Sequence, residues 1–327
     1  METHPRLTSL FASLLLLTGL CSAPLRAQEA STRTYALRDG SQLVYQEPGF
    51  WRTMGSMPSD MGTFVKDSFT KDSLPWLGAI TASTLILIHY DQAIYDGARK
   101  TGRKLSISSK DKTRTYVTVG GVALFRGPSD LGSALYFIGD GWVTIGTFGY
   151  LKIYNLFEHD WRASQTANQL GEGLIATGFV TELMKNIAGR ETPERETGKG
   201  GVWRMFPGLG EYIKHRPSYD AFPSGHLASY TMTMTILADN YPDNRYIKPI
   251  GYTLMAGLCF QMMNNGVHWA SDYPLGFAVG YGIGKAISSH GRTAARRVPG
   301  AREKQALSFA PYLSPYGGVG AQLAYRF

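Results

Sequence analysis

Apolar and polar positions divide the chain near Leu74. Residues 28–73 mix apolar residues with many Gly, Pro, Ser and Asp, which predicts an irregular N-terminal arm with short strands or loops, as in QLVYQEPGFW. From Leu74 to Lys100 the apolar residues recur at helical spacing, and Pro75 suits a first helical turn. Residues 111–125 fit a short helix or a strand equally well. Residues 133–154 are apolar, rich in small residues and punctuated by Gly. Trp161–Ile187 predicts one continuous helix. Two loops follow, a charged and Gly-rich one at 189–201 and a second at 204–222. Helices are predicted again at 225–239, 247–265 and 267–288, with a break near Asn264–Gly266. Several of the helical runs carry charges or polar clusters within 20 residues. Buried helices of a packed all-α bundle explain that at least as well as membrane spans.

The ends differ from the middle. An apolar run from Leu7 to Leu20 follows Arg6, with small residues after it, and Ala27 before Gln28 is a plausible cleavage point. Residues 1–27 therefore predict a secretory signal peptide and an exported protein, periplasmic or bound at the outer envelope. Cleavage would leave Cys259 as the single cysteine, so no intramolecular disulfide is expected. At the other end, residues 291–327 comprise a basic linker and an alternating segment that ends in Phe327. That segment predicts a short hairpin or a packed tail, because one strand pair cannot close a barrel. The expected domains are 1–27, the arm at 28–73, a helical domain at 74–290 and the tail at 291–327.

The chain has 327 residues, 43% of them apolar, and a formal net charge of +8. The length allows a sizeable core, and the charge favours phosphates or an anionic membrane surface as partners. No motif supports nucleic acid, and no Rossmann or Walker pattern supports a nucleotide cofactor. Nothing in the sequence fixes the oligomeric state.

Three short segments carry candidate chemistry. Pro223-Ser224-Gly225-His226 precedes a helical run, so the free amides of a first helical turn could hold a phosphate beside His226. His268 and Asp272 are four residues apart, which on one helix would let the carboxylate fix the imidazole tautomer. Lys185 and Arg190 are cations at a helix end, suited to phosphoryl oxygens. Each has a plainer reading: a capping or core histidine, an ordinary helix pair, solvated charges at a helix C-terminus. His226, His268 and Asp272 could also supply three metal ligands, although a nucleophile with its orienter explains the spacing better.

In this order the segments resemble the three signatures of the type-2 phosphatidic acid phosphatase and vanadium haloperoxidase superfamily. KNIAGRETP at 185–193 is similar to the first, PSGH at 223–226 to the second and GVHWASD at 266–272 to the third. The resemblance spans roughly residues 130–290. It implies an all-α, haloperoxidase-like bundle that holds phosphate between helix ends and needs no metal or cofactor. It further implies a phospho-histidine intermediate on His268, oriented by Asp272, with His226 as general acid and then base. Lys185, Ser224 and Gly225 would bind phosphoryl oxygens. The chain departs from the pattern at two places: Thr192 and Met262 stand where relatives carry phosphate-clamping arginines, and Gln261 replaces a serine. Arg190, Arg204, Lys214 and Arg216 are the cations available as substitutes, Arg216 first among them. A phosphorylated lipid is the expected substrate, with a small soluble phosphoester as the alternative. Trp203, Met205 and Phe206 are candidates for touching an acyl chain. A degenerate site serving binding or assembly is the competing reading.

Overall fold

The computed structural model describes residues 31–120 and 122–293, together with strands at 306–313 and 319–326. The expected signal peptide and most of the basic linker lie outside the described residues. The fold is an all-helical bundle with short β elements at its edges.

Within the N-terminal arm, β1 (Thr32–Ala36) and β2 (Gln42–Gln46) form an antiparallel hairpin, and α1 (Phe50–Ser68) follows. The arm is more regular than its Gly and Pro content predicts. Met57, Met61 and Phe64 in α1 recur at helical spacing and pack against the bundle core, which outweighs the interior Pro58. α2 (Leu74–Lys104) carries Pro75 in its first turn, as the sequence predicts. The ambiguous segment resolves into strands β3 (Thr113–Val119) and β4 (Val122–Pro128). α3 (Leu131–Phe137) and α4 (Trp142–Glu158) come next. α5 (Trp161–Ala188) starts on an Asp160 cap, whose carboxylate accepts from Ala163 N at 3.0 Å.

After the loops, which include α6 (Leu209–Lys214), come α7 (Gly225–Asn240), α8 (Ile247–Asn265) and α9 (Tyr273–Ser289). β5 (Arg292–Thr293) then joins the edge of β2. β6 (Ala306–Leu313) and β7 (Val319–Arg326) form an antiparallel hairpin, with Ala306 opposite Arg326.

The core lies where α5, α7 and α9 meet. Leu170, Met232, Ile236, Ile283 and Ile287 are fully buried there. A second cluster joins α7 to α8 through Leu227, Tyr230, Met255, Leu258 and Met262. α7 and α9 touch at backbone distance: a Cβ at Gly280 would come within 2.1 Å of the Ala228 carbonyl oxygen. The missing side chain at Gly280 permits that approach, which brings the start of α7 against the start of α9. The small sheet is tied to the bundle by a buried polar chain. Tyr45 Oη donates to Asn240 Oδ1 at 2.8 Å, Asn240 Nδ2 to Gln169 Oε1 at 2.6 Å, and Gln169 Nε2 to the His290 carbonyl at 2.9 Å. Among the described residues, no helix is long and apolar enough to cross a membrane.

Candidate active site

His268 does not share a helix with Asp272, contrary to the single helix expected over 267–288. Gly266 takes a left-handed conformation (φ +77°) that ends α8, and Pro274 fixes the first turn of α9. Residues 267–269 are therefore non-helical, Trp269 being extended, and a 3₁₀ turn at Ala270–Asp272 leads into α9. Asp272 Oδ2 accepts the Trp269 amide at 2.7 Å, which folds this turn back on itself. The carboxylate lies 3.4 Å from His268 Nδ1, at the margin of a hydrogen bond.

The closer partner of His268 Nδ1 is the main-chain carbonyl of Ala221, at 2.7 Å. A carbonyl can only accept, so Nδ1 carries the proton and Nε2 carries the lone pair. That Nε2 is buried and has no hydrogen-bond partner among the described residues. The His226 ring stands 5.6 Å from the His268 ring, at 75° to it. His226 Nδ1 is likewise buried without a partner, while its Nε2 lies 3.8 Å from Asp140 Oδ1. The Tyr136 ring packs 4.8 Å from His226. Burial holds the His226 imidazole well below its ordinary pKa, and the neighbouring His268 and Lys185 push it in the same direction.

The start of α7 supports this pair. Ser224 caps the helix, its Oγ accepting from Leu227 N at 3.3 Å, and its own amide donates to the Asp272 carbonyl at 3.0 Å. The amides of Gly225 and His226 head the helix, at the positive end of its dipole. Lys185, buried near the end of α5, reaches the same place: a Cβ on Gly225 would lie 3.5 Å from its Nζ. Lys185 Nζ is 3.9 Å from Glu182 Oε1, and Arg216 Nη2 donates to that same oxygen at 2.7 Å. Burial raises the Glu182 pKa, but the Arg216 hydrogen bond, with Lys185 and Tyr212, more than offsets it, so the net shift is downward.

The other expected phosphate ligand, Arg190, is placed differently. Its side chain has no solvent exposure. Nη1 donates to Ser271 Oγ at 2.6 Å and Asp272 Oδ1 at 2.5 Å, and Nη2 to Asp91 Oδ2 at 2.7 Å and the Gly200 carbonyl at 2.8 Å. Trp203 and Trp269 cover its faces, with centroids 4.7 and 5.4 Å from Cζ. Four of its five donors thus serve internal acceptors. Of the other substitutes, Arg204 pairs with Glu191 and Arg216 with Glu182 and Asp220, while Lys214 is exposed. Thr192 and Met262, at the two arginine positions, are both buried.

Three contributors were missed in the sequence. Asp91 on α2 is fully buried and accepts from Ser271 N at 3.0 Å and Ser271 Oγ at 2.5 Å. An aspartate inside the apolar run LILIHYDQ was its signal. Asp140 lies in a GDG turn that gave only a glycine signal. The Ala221 carbonyl, being main chain, gave none.

Residues 166–294 match the model of the PAP2 superfamily. The matched span includes Lys185, Ser224, Gly225, His226, His268 and Asp272, but neither Asp91 nor Asp140. No curated protein and no solved structure matches the chain. That match supports phosphatase or phosphoesterase activity in general. Among the described residues, no group of three or more His, Cys, Asp or Glu side chains is placed to hold a metal ion.

Proposed function

We propose that this protein, whose residues 166–294 match the PAP2 superfamily, hydrolyses phosphate monoesters or pyrophosphates, carried on a lipid, through a phospho-histidine on His268. The observation that carries the reading is the tautomer. The Ala221 carbonyl pins Nδ1–H, so the buried, unpartnered Nε2 keeps its lone pair free, with the second histidine 5.6 Å away ring to ring. In the first step Nε2 attacks phosphorus, the bond to the ester oxygen breaks, and His226 gives that oxygen a proton. In the second, His226 takes a proton from water, the water oxygen attacks phosphorus, and the P–N bond breaks to release inorganic phosphate. Lys185 and the amides of Gly225 and His226 would hold the equatorial oxygens as charge develops on them. Asp272 acts mainly through the backbone turn that carries His268.

A lipid substrate is supported by an apolar stripe on α5. Ile175, Phe179, Leu183 and Ile187 recur every fourth residue and are exposed, and the stripe runs to the end of the helix that holds Lys185. Met205 and Phe206 continue it, being 62% and 67% exposed, and the Phe206 amide donates to the Ile187 carbonyl. Such a surface would seat an acyl chain beside the phosphoryl site, at an anionic membrane face of the cell envelope. The neutral residues at 192 and 262 favour one competing reading, a binding or structural protein without turnover.

The test is phosphate release by the mature protein from aryl phosphate and from a panel of lipid phosphates, with and without chelator, beside His268→Ala. Chelator-resistant turnover that the variant lacks, together with phosphate trapped on His268 by acid-free quench, is the expected result. Folded wild type that turns over no substrate would transfer the weight to the binding reading.

A further inference from the structure

The proposed reaction leaves a requirement that the two signature histidines do not meet. A general acid must be protonated when the ester oxygen departs, yet burial, His268 and Lys185 all disfavour the His226 imidazolium. Something on the far side of the ring must favour it. We propose that Asp140 is the positioning residue for His226, holding Nε2–H so that Nδ1 delivers its proton to the leaving oxygen; this rests on the phosphatase reading above.

The geometry divides the two ring nitrogens. Nδ1 is buried and unpartnered, and Nε2 is the one that meets Asp140, with 3.8 Å to Oδ1. A carboxylate on one nitrogen of an imidazole fixes the tautomer and stabilises the cation that forms when the other nitrogen takes a proton. The Asp140 side chain is 46% exposed, so rotation of its carboxylate can close the gap to hydrogen-bonding distance without disturbing the core.

The turn that carries Asp140 is built against His226. Gly139 lies so close that a Cβ there would stand 2.8 Å from the His226 Cβ and 2.9 Å from Leu258 Cδ2. Any side chain at 139 would push the turn, and Asp140 with it, away from the ring. Gly141 then takes φ +76°, left-handed, at the start of α4. Burial raises the Asp140 pKa, and Asp111 raises it further, which narrows the gap in acidity between carboxyl and imidazole and eases sharing of one proton.

Among the described residues, the charged and titratable groups that meet His226 are Asp140 and Tyr136 from the α3–α4 segment, Lys185 from α5 and His268 from the turn before α9. Asp140 is the carboxylate that faces its Nε2. When the phosphoryl dianion binds, it offsets Lys185, and Asp140 supplies the second negative neighbour that the imidazolium needs.

The experiment compares Asp140→Asn, Asp140→Glu and wild type on two aryl esters. p-Nitrophenyl phosphate has a leaving group that departs with little protonation, whereas phenyl phosphate needs an acid. Asp140→Asn should lower kcat on phenyl phosphate about tenfold or more and on p-nitrophenyl phosphate by less than about threefold. Asp140→Glu should restore most of the loss. Independently of turnover, the His226 imidazole followed by NMR should titrate at lower pH in Asp140→Asn than in wild type. Equal losses on both esters, or an unshifted His226 titration, would overturn the proposal. If wild type hydrolyses neither ester, the phosphatase reading fails, and the His226 titration alone decides whether Asp140 holds the ring.

Discussion

Arg190 gives the sharpest test of how the site is built. Its guanidinium lies between two carboxylates, Asp91 and Asp272, and all three side chains have no solvent exposure. Replacing it with methionine keeps much of the volume between Trp203 and Trp269 but removes four hydrogen bonds and both ion pairs. Breaking one buried pair by deleting a partner costs about 3–5 kcal/mol, because the other charge is left uncompensated. Here one deletion strands two charges, which argues for the upper end. The donors that remain reduce the cost: Asp91 keeps Ser271 N and Oγ, and Asp272 keeps the Trp269 amide. Arg190→Met should therefore lose about 4 kcal/mol, a large fraction of the ~5–15 kcal/mol that holds most domains folded.

The assay is urea unfolding at pH 7 of wild type, Arg190→Met, Asp91→Asn and the double variant. Neutralising Asp91 in the Arg190→Met background removes one stranded charge, so the double variant should be more stable than Arg190→Met alone. A phosphate-binding Arg190 predicts the opposite pattern, with near-normal stability and orthovanadate affinity lowered by the loss of a charge-assisted contact. A loss under about 1 kcal/mol in Arg190→Met, or an Asp91→Asn change that deepens it, would refute the internal role.

Two further outcomes follow from the same packing. Glu172 on α5 is fully buried, and burial first, then the neighbouring Asp60 carboxylate, raise its pKa from 4.5 to about 9. The unfolded chain therefore loses this proton before the folded one does, so stability is full below pH 4.5 and falls as pH rises towards 9. At about 1.4 kcal/mol per unit, the deficit at neutral pH is on the order of 3 kcal/mol, and Glu172→Gln should remove that slope from unfolding measured across the window. Parallel curves for the two proteins would contradict it. Ser224→Ala should cost about 1 kcal/mol by uncapping α7, whereas Ser224→Gly should cost only a few tenths, and urea midpoints separate the two.

The helices of the bundle were legible because their apolar periodicity and start signals are local. Pro75, Asp160 and Ser224 each stand where a helix begins. The site was legible as a set of residues and less so as a geometry. His268 and Asp272 suggested one helical face, but the left-handed Gly266 and Pro274 move the helix start to Tyr273, so the imidazole takes a carbonyl from a loop 47 residues away. No side-chain pattern encodes that partner. Arg190 failed for a similar reason: its charge beside a glycine-rich loop suggested exposure, while the carboxylate that buries it comes from α2, 99 residues upstream. In α1, Met57, Met61 and Phe64 carried a helical period that the surrounding Gly, Ser and Asp obscured.

The two missing arginines bear on substrate choice. Met262 is fully buried and its sulfur accepts from Ser224 Oγ at 3.7 Å, and Thr192 is buried beside the Pro193 turn, so both positions are filled by neutral packing. Among the described residues, Lys185 is a fixed cation near the α7 start; the carboxylate of Glu182 lies close to it and that of Asp140 close to His226. A hydrogen bond to a charged group contributes about 1.5–3 kcal/mol, so a phosphoryl group lacking two arginines is held more weakly by roughly 3–6 kcal/mol. On the lipid reading the rest of the substrate makes up that difference along the α5 stripe. Each methylene transferred from water contributes about 0.8 kcal/mol, so roughly four to eight of them offset the loss. Across alkyl phosphates of increasing chain length, KM should then fall steeply over the first eight or so carbons and level off once the stripe is covered, while inorganic phosphate inhibits weakly. Phe179→Ser should flatten that dependence without changing kcat on a short ester. A KM independent of chain length, with tight inhibition by free phosphate, would show that the headgroup alone is recognised and would move the substrate to the small soluble esters.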